Sequence, residues 1–465
     1  MNKSFYSWKL ANQTNGYRPY KAYALHNFTR IPQLQEFSEE QRFAIKVVGH
    51  ILPFKTNNYV IDELIDWGNV PYDPIFRLTF PQKEMLQPHH FEEMAAALRC
   101  CADKETVKHI ANRIRSQLNP HPAGQMEYNV PLMDGQKLTG IQHKYRETIL
   151  FFPSQGQTCH AYCTFCFRWP QFVGIDQWKF TMRETGLLVA YLRRHPEVSD
   201  VLITGGDPMI MKAKRLSQYI EALLAADLPN LQNIRIGSKA LSYWPYKFFG
   251  DKDADRLLAL FKKVVRSGKH LAFMAHFTHP RELSTPAVKK AIRLIRETGA
   301  EIRTQAPLLR HINDNPQTWA KMWKKQVKLG CIPYYMFVAR DTGAQHYFAV
   351  PLVEAWEIFK EAYQKVSGIA RTVRGPSMSC DPGKVQILGV SKIKGEKVIV
   401  LRMLQGRNPN WTNRPFFAKY DEAAIWFDEL SPAFGKNRFF FEGELFETNQ
   451  SNETIFALSG GISRI

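Results

Sequence analysis

What the chain lacks narrows its class. No apolar run approaches the ~18 residues that a membrane span needs. Residues 1–9 have a charged lead but no apolar stretch behind it, so no secretory signal is expected. There is no internal repeat, no low-complexity tract and no block of five or more like charges. Cysteine is scarce: seven in 465 residues, an odd number without paired spacing. That excludes a disulfide framework and makes a reducing cytoplasm the expected compartment. What is present is ordinary for a folded chain. Hydrophobic residues make up 45%, and 31 Phe, 18 Tyr and 10 Trp argue against disorder. The length suggests about three domains. Sixty-two basic side chains against 43 acidic give a net charge of +19. Such a balance favours anionic partners (nucleic acid, phosphorylated cofactors, acidic metabolites), beside the plainer reading of a solvated basic surface.

Residues 1–140 read as a helical region. Ser38 is placed to cap a helix through Val48, and residues 91–98 have a strong helix-forming composition. Proline breaks fall at Pro53, Pro71, Pro74, Pro81 and Pro88. From about 141 to 350 the rhythm changes. Short apolar runs at 148–152, 201–204, 234–236, 271–274, 301–304 and 334–338 alternate with amphipathic stretches at 215–226, 253–267 and 287–297. Six strands alternating with helices predict an α/β fold, a partial (β/α)6 barrel around a parallel sheet. Residues 351–465 begin with a helix over 352–366. They then turn to strands at 385–388, 397–401 and 438–441, a small β-rich C-terminal extension.

Four cysteines, Cys100, Cys101, Cys331 and Cys380, fit no pattern. The other three, Cys159, Cys163 and Cys166, form a C-x3-C-x2-C triplet just after the first strand of the array. Four thiolates normally saturate a cubane iron–sulfur cluster, so three leave one iron open to another ligand. Two other readings stand beside this one: zinc with His160 as fourth ligand, and three unpaired core cysteines. Thr204-Gly205-Gly206-Asp207-Pro208 ends the second strand. It reads as a βα turn, or as glycines that let backbone approach a ligand while Asp207 meets an ammonium. His276 and Gln305 also fall at strand ends. Alone, Arg168 reads as structural or surface, and Lys384, in Asp381-Pro382-Gly383-Lys384-Val385, as an exposed lysine in a turn.

Taken in order, these blocks resemble the lysine 2,3-aminomutase family of radical S-adenosylmethionine enzymes over roughly residues 50–390. The likeness runs through His143-Lys144-Tyr145, the triplet with Phe167-Arg168, the Gly205–Asp207 turn and Ile234-Arg235-Ile236-Gly237-Ser238. It continues through His276-Phe277-Thr278-His279-Pro280, Gln305 with Leu308-Leu309-Arg310, and Pro333-Tyr334-Tyr335. The resemblance implies a [4Fe–4S] cluster on Cys159, Cys163 and Cys166, with S-adenosyl-L-methionine against Gly205, Gly206, Asp207, His276 and Gln305. It implies Arg168 on the substrate carboxylate and pyridoxal 5′-phosphate on Lys384, with Lys144, Tyr145 and Arg146 beside that cofactor. Only Gly383 remains of the glycine run that the family carries before this lysine. A cytoplasmic homo-oligomer served by a reductant protein such as flavodoxin or ferredoxin is implied as well.

Two departures concern the substrate's far end. Lysine-specific members hold the distal ammonium with two aspartates. Counting from Pro333-Tyr334-Tyr335, the first falls on Arg340, with Asp341 next to it; counting back from Lys384, the second falls on Ser377. A cation there repels an ammonium and favours glutamate or another acidic amino acid. Cysteines that hold a structural zinc in some members have no counterpart after Cys380. The expected activity is movement of an α-amino group to the β-carbon of a free amino acid. The rivals are radical modification of a residue in a protein or nucleic acid, and a non-enzymatic, basic iron–sulfur nucleic-acid-binding protein.

Overall fold

The computed structural model describes residues 19–445. The opening segment, read above for a secretory signal, lies outside the described residues. Within them, no helix is long and apolar enough to cross a membrane.

The N-terminal region is helical as expected, with a two-stranded ribbon of β1 (Ala22–Ala24) and β2 (Lys55–Asn57). Ser38 closes a full capping box with Gln41 on the helix Glu39–Ile51, and Asp103 caps Lys104–Ser116. Each such cap is worth about 1 kcal/mol. The apolar faces of these helices meet in a core of Ile45, Val48, Phe76, Phe80 and Met94. That core continues into Ala161, Trp169 and Tyr243, so the region packs onto the mouth of the α/β array.

After a short hairpin of β3 (Leu132–Met133) and β4 (Gln136–Lys137), one eleven-stranded sheet begins at β5 (Ile141–Tyr145). The six expected strands follow in order. They are β6 (Thr148–Phe151), β7 (Asp200–Ile203), β8 (Asn233–Ser238), β9 (His270–His276), β10 (Glu301–Leu308) and β11 (Ile332–Val338), each parallel to the next. A seventh parallel strand, β12 (Arg374–Ser379), pairs with β11. The antiparallel strands β13 (Gly383–Ile393), β14 (Glu396–Gly406) and β15 (Pro415–Lys419) extend the same sheet. The edges, β5 and β15, do not pair, so the array stays open. The strands after residue 350 therefore continue the array's sheet and do not build one of their own.

Strand period explains the hollow centre. In β8, Ile234 and Ile236 are fully buried against helices, while Arg235 and Gly237 between them face an internal cavity. β7 repeats this, with Val201 and Ile203 outward and Asp200 and Leu202 inward. The outer core is closed by helices such as Ala254–Arg266 and Pro286–Arg296, which bury Leu257, Phe261, Val288 and Ile292. One expectation fails. Residues 438–441 are not a strand. Phe439, Phe440 and Phe441 pack as an aromatic cluster around Phe416, Phe427 and Trp411. Three consecutive rings, all drawn into ring contacts, do not keep the alternation of a strand.

Candidate active site

The inward faces enclose a cavity of about 430 Å³. Cys159, Cys163 and Cys166 lie on its wall, on the loop that leaves β6. The loop is held from outside the array. Asn57, fully buried, donates to the carbonyls of His160 (3.1 Å) and Tyr243 (2.9 Å). The backbone N–H of Tyr162 donates to Lys55 and that of Thr164 to Leu78. Burial pushes all three thiols up, Cys163 to about 12 and Cys166 to about 11; Cys159 is raised further by both other cysteines and Cys163 by Cys166. Three crowded, desolvated thiols that repel one another's ionisation fit a site whose iron supplies the missing positive charge. Among the described residues, no three of His, Cys, Asp or Glu converge closely enough to hold a single metal ion. That goes against the zinc reading. His160 is buried, held as neutral imidazole with its pKa lowered to about 3, and is not part of the cavity wall.

The Gly205–Asp207 turn is built for the cysteine loop. A Cβ on Gly206 would lie 2.5 Å from the Thr158 backbone nitrogen, and one on Gly205 (φ +147°) 2.5 Å from the Gln157 amide. Only glycine allows this approach. Asp207 locks the turn. Its backbone N–H donates to the carbonyls of Gly156 and Thr158. Its carboxylate accepts from Met209 N–H (2.9 Å), Ser238 hydroxyl (2.8 Å) and Lys239 N–H (2.9 Å). The side chain is thus committed to bracing β7 against β8, although it borders the cavity, and burial still raises it to about 6. His276, at the end of β9, stacks on Phe165 with centroids 5.8 Å apart. Burial, then Lys239, hold its pKa well below the usual value, so the ring facing the cavity is neutral. Gln305 of β10 stands beside it on the wall.

Arg168 lies over the rings of Phe152 (4.4 Å) and Phe167 (5.0 Å) on the cavity wall. Among the described residues no carboxylate reaches it and its buried Nη1 has no hydrogen-bond partner, and burial lowers its pKa to about 10. A buried guanidinium with an orphan donor calls for an anion.

Lys384 is not in an exposed turn. It is the second residue of β13, and its amine faces the cavity. Gly383, directly before it, is held tight against β14, where a Cβ would collide with the Gln405 carbonyl. Lys384 Nζ sits 4.4 Å from the Tyr335 ring centre and 5.7 Å from that of Tyr145, and donates to the Gln405 side chain at 3.2 Å. Burial, then Arg235 and Arg374, lower its pKa to about 7. Tyr145 stays a neutral phenol, raised by burial to about 12. Lys144 lines the cavity and donates to the Cys380 carbonyl. Arg146 is exposed and outside the cavity, because β5 alternates and sends residue 146 past its end to solvent.

At the remaining end, Arg340 borders the cavity. Its Nε pairs with Asp341 (3.1 Å), and its Nη2 donates to the Pro122 carbonyl (3.1 Å). Asp341 also accepts from Asn119 (3.2 Å) and does not line the cavity. Ser377 is fully buried in β12 with its hydroxyl toward the Met336 carbonyl. Among the described residues, only two carboxylates line the cavity: Asp207, braced as above, and Asp200, paired with Arg235. Sequence patterns gave no sign of Asn57, Lys55, Tyr243 or Gln405, which reach the site from distant segments and belong to no motif.

No protein-family model matches the chain. It is similar to a protein of Aquifex aeolicus provisionally named L-lysine 2,3-aminomutase, with 31% identity over 86% of this chain and 93% of that protein. It is similar to L-lysine 2,3-aminomutases of Fusobacterium nucleatum (28% identity, 50% of this chain and 51% of that one) and Escherichia coli (28%, 51% and 66%). Among solved structures it overlaps distantly with a radical SAM methyltransferase of Sphaerobacter thermophilus, at 13% identity and a TM-score of 0.34 over 53% of this chain and 68% of that one.

Proposed function

Because the chain belongs to the lysine 2,3-aminomutase family of radical S-adenosylmethionine enzymes, we propose that it moves the α-amino group of a free amino acid to the β-carbon. Family membership makes the chain an enzyme, an isomerase, and replaces the non-enzymatic reading. The observation that carries the proposal is the convergence of three elements on one cavity: the cysteine triplet, the orphan Arg168 and a lysine whose pKa is lowered to about 7.

In this reading Cys159, Cys163 and Cys166 hold a [4Fe–4S] cluster. The Gly205–Gly206 turn, His276 and Gln305 form the pocket for S-adenosyl-L-methionine, and Asp207 fixes that pocket's shape. Lys384 is the attachment point for pyridoxal 5′-phosphate, with Tyr145 and Lys144 alongside and Arg235 and Arg374 as the cations that act on it. When bound, these groups supply a carbon radical that takes a hydrogen atom and a ring that delocalises the unpaired electron during amino-group migration.

The chain's own residues do the rest. Arg168 holds the substrate carboxylate, which fixes the α- and β-carbons relative to both ends of the cavity. Lys384, with its pKa lowered to about 7, offers a large fraction of free base near neutral pH, whose lone pair can meet a carbonyl carbon. The N-terminal region closes the mouth and keeps water from a reactive radical. A reductant protein such as flavodoxin or ferredoxin supplies the electron, and the working form is a homo-oligomer. The substrate's distal group is not an ammonium: neither cavity carboxylate is free, and Arg340 takes the place of one. Glutamate or another acidic amino acid is the proposed substrate.

Anaerobic incubation of reconstituted enzyme with a panel of amino acids, followed by product analysis, tests this. Acidic β-amino-acid products support it. Efficient lysine turnover that survives Arg340→Ala but is lost in Asp341→Ala refutes the substrate assignment. No free amino-acid product, with modification of a co-purified protein or RNA instead, favours the macromolecular alternative.

A further inference from the structure

Tyr243 belongs to none of the blocks above, yet it touches the cysteine triplet. It ends the short helix Ala240–Tyr243 after β8 and is 1% exposed. Its hydroxyl lies 3.7 Å from Cys163 Sγ. Two features fix it there. Asn57 binds both the Tyr243 carbonyl and the His160 carbonyl, so one amide sets tyrosine and cysteine loop against each other. Lys239 Nζ sits 4.5 Å from the Tyr243 ring centre, itself anchored by Glu282 (2.8 Å), Thr278 (3.0 Å) and the His276 carbonyl (3.3 Å). The remaining sulfurs have other neighbours: Cys166 a backbone N–H from Arg168, Cys159 the charge of Lys55.

Resting on the cluster assignment above, we infer that Tyr243 is a positioning residue that donates a hydrogen bond to the Cys163 thiolate and raises the reduction potential of the cluster. The physics is that of any donor on a cluster sulfur. One-electron reduction adds negative charge that spreads onto the thiolates. A fixed O–H dipole stabilises the reduced form more than the oxidised one. Because the site is buried and the ring is clamped, little solvent reorganises to cancel the effect. The electron comes from the external reductant, and no bond is made or broken. Tyr243 thus sets how strong a reductant the enzyme needs.

The test compares wild type with Tyr243→Phe, both reconstituted anaerobically with iron and sulfide. Iron is counted per chain, and the reduced cluster is titrated against potential by electron paramagnetic resonance without S-adenosylmethionine. Equal iron with a more negative midpoint in the variant is expected. The shift should lower the reduced-to-oxidised ratio at a fixed potential by roughly tenfold, ~59 mV for one electron. Equal iron and equal midpoints overturn the inference. If the variant holds less iron, 3-fluorotyrosine at position 243, a stronger donor of nearly the same shape, decides. A less negative midpoint supports the hydrogen bond, and an unmoved one refutes it. A wild-type chain that takes up no iron overturns the cluster assignment, and the inference falls with it.

Discussion

Removing the Arg374 charge should raise the pKa of Lys384 by about one unit. Burial is the largest cause of the depressed value of about 7, and Arg235 and Arg374 follow. The Tyr335 ring is in contact with both Lys384 and Arg374. Lys384 Nζ is 4.4 Å from its ring centre and the Arg374 guanidinium 4.6 Å, so they are no more than about 9 Å apart. At an effective dielectric near 20, like charges at ~9 Å repel by about 2 kcal/mol, or roughly 1.3 pKa units. Arg374 is partly exposed, so solvent screening reduces this to about one. The perturbation is Arg374→Gln. The assay is competitive acetylation of the chain over a range of pH, with Lys384 followed by peptide mass spectrometry. Wild-type Lys384 should reach half-maximal reactivity near pH 7, and the variant about one unit higher. At neutral pH the wild-type amine should carry roughly two to three orders of magnitude more free base than an ordinary lysine. The folded pKa lies below the unfolded one, so the unfolded chain binds the extra proton between about pH 7 and the usual lysine value. Through that window stability rises with pH, and the cost of burying a charged amine is fully present below it. A half-maximum near the usual lysine value in wild type, or no movement in Arg374→Gln, refutes the reasoning.

Cys163→Ala should lose iron and sulfide together after reconstitution, and a full cluster in that variant would remove the triplet assignment. Arg168→Ala should raise the KM for the amino acid by about tenfold to a hundredfold, the worth of a charge-assisted pair. Because Arg168 is a buried cation without a carboxylate, Arg168→Met should leave the Tm unchanged or higher in the apo chain; a clear fall in Tm would mean that the arginine has a structural partner. Asn57→Ala removes three bonds at full burial, so it should lower stability by about 1–3 kcal/mol in urea and speed iron loss. Unchanged iron retention would show that the cysteine loop stands without it.

The sequence by itself was enough for the elements whose signal is local. Short apolar runs and amphipathic stretches located the six strands β6 to β11 and three of the helices between them, because burial on one side leaves its mark on neighbouring residues in the chain. The grouping of Cys159, Cys163 and Cys166 was legible for a related reason: they lie within eight residues, and one loop brings all three to the cavity wall. The third dimension decided what depends on segments far apart in the chain. Asp207 reads as a free carboxylate until Ser238 and Lys239 are seen to use it up. Lys384 reads as a turn lysine until β13 joins the sheet and Arg235, 149 positions earlier, lowers its pKa. Arg146 and Asp341 stand beside Tyr145 and Arg340 in sequence, yet neither borders the cavity, since neighbours on a strand or at its end point different ways. Asn57 and Tyr243 belong to no motif. The buried amide meets the cysteine loop because the helical region packs over the mouth of the array, and the phenol because the short helix after β8 lies beside the loop after β6; a contact across 80 or 100 residues leaves no local pattern to read.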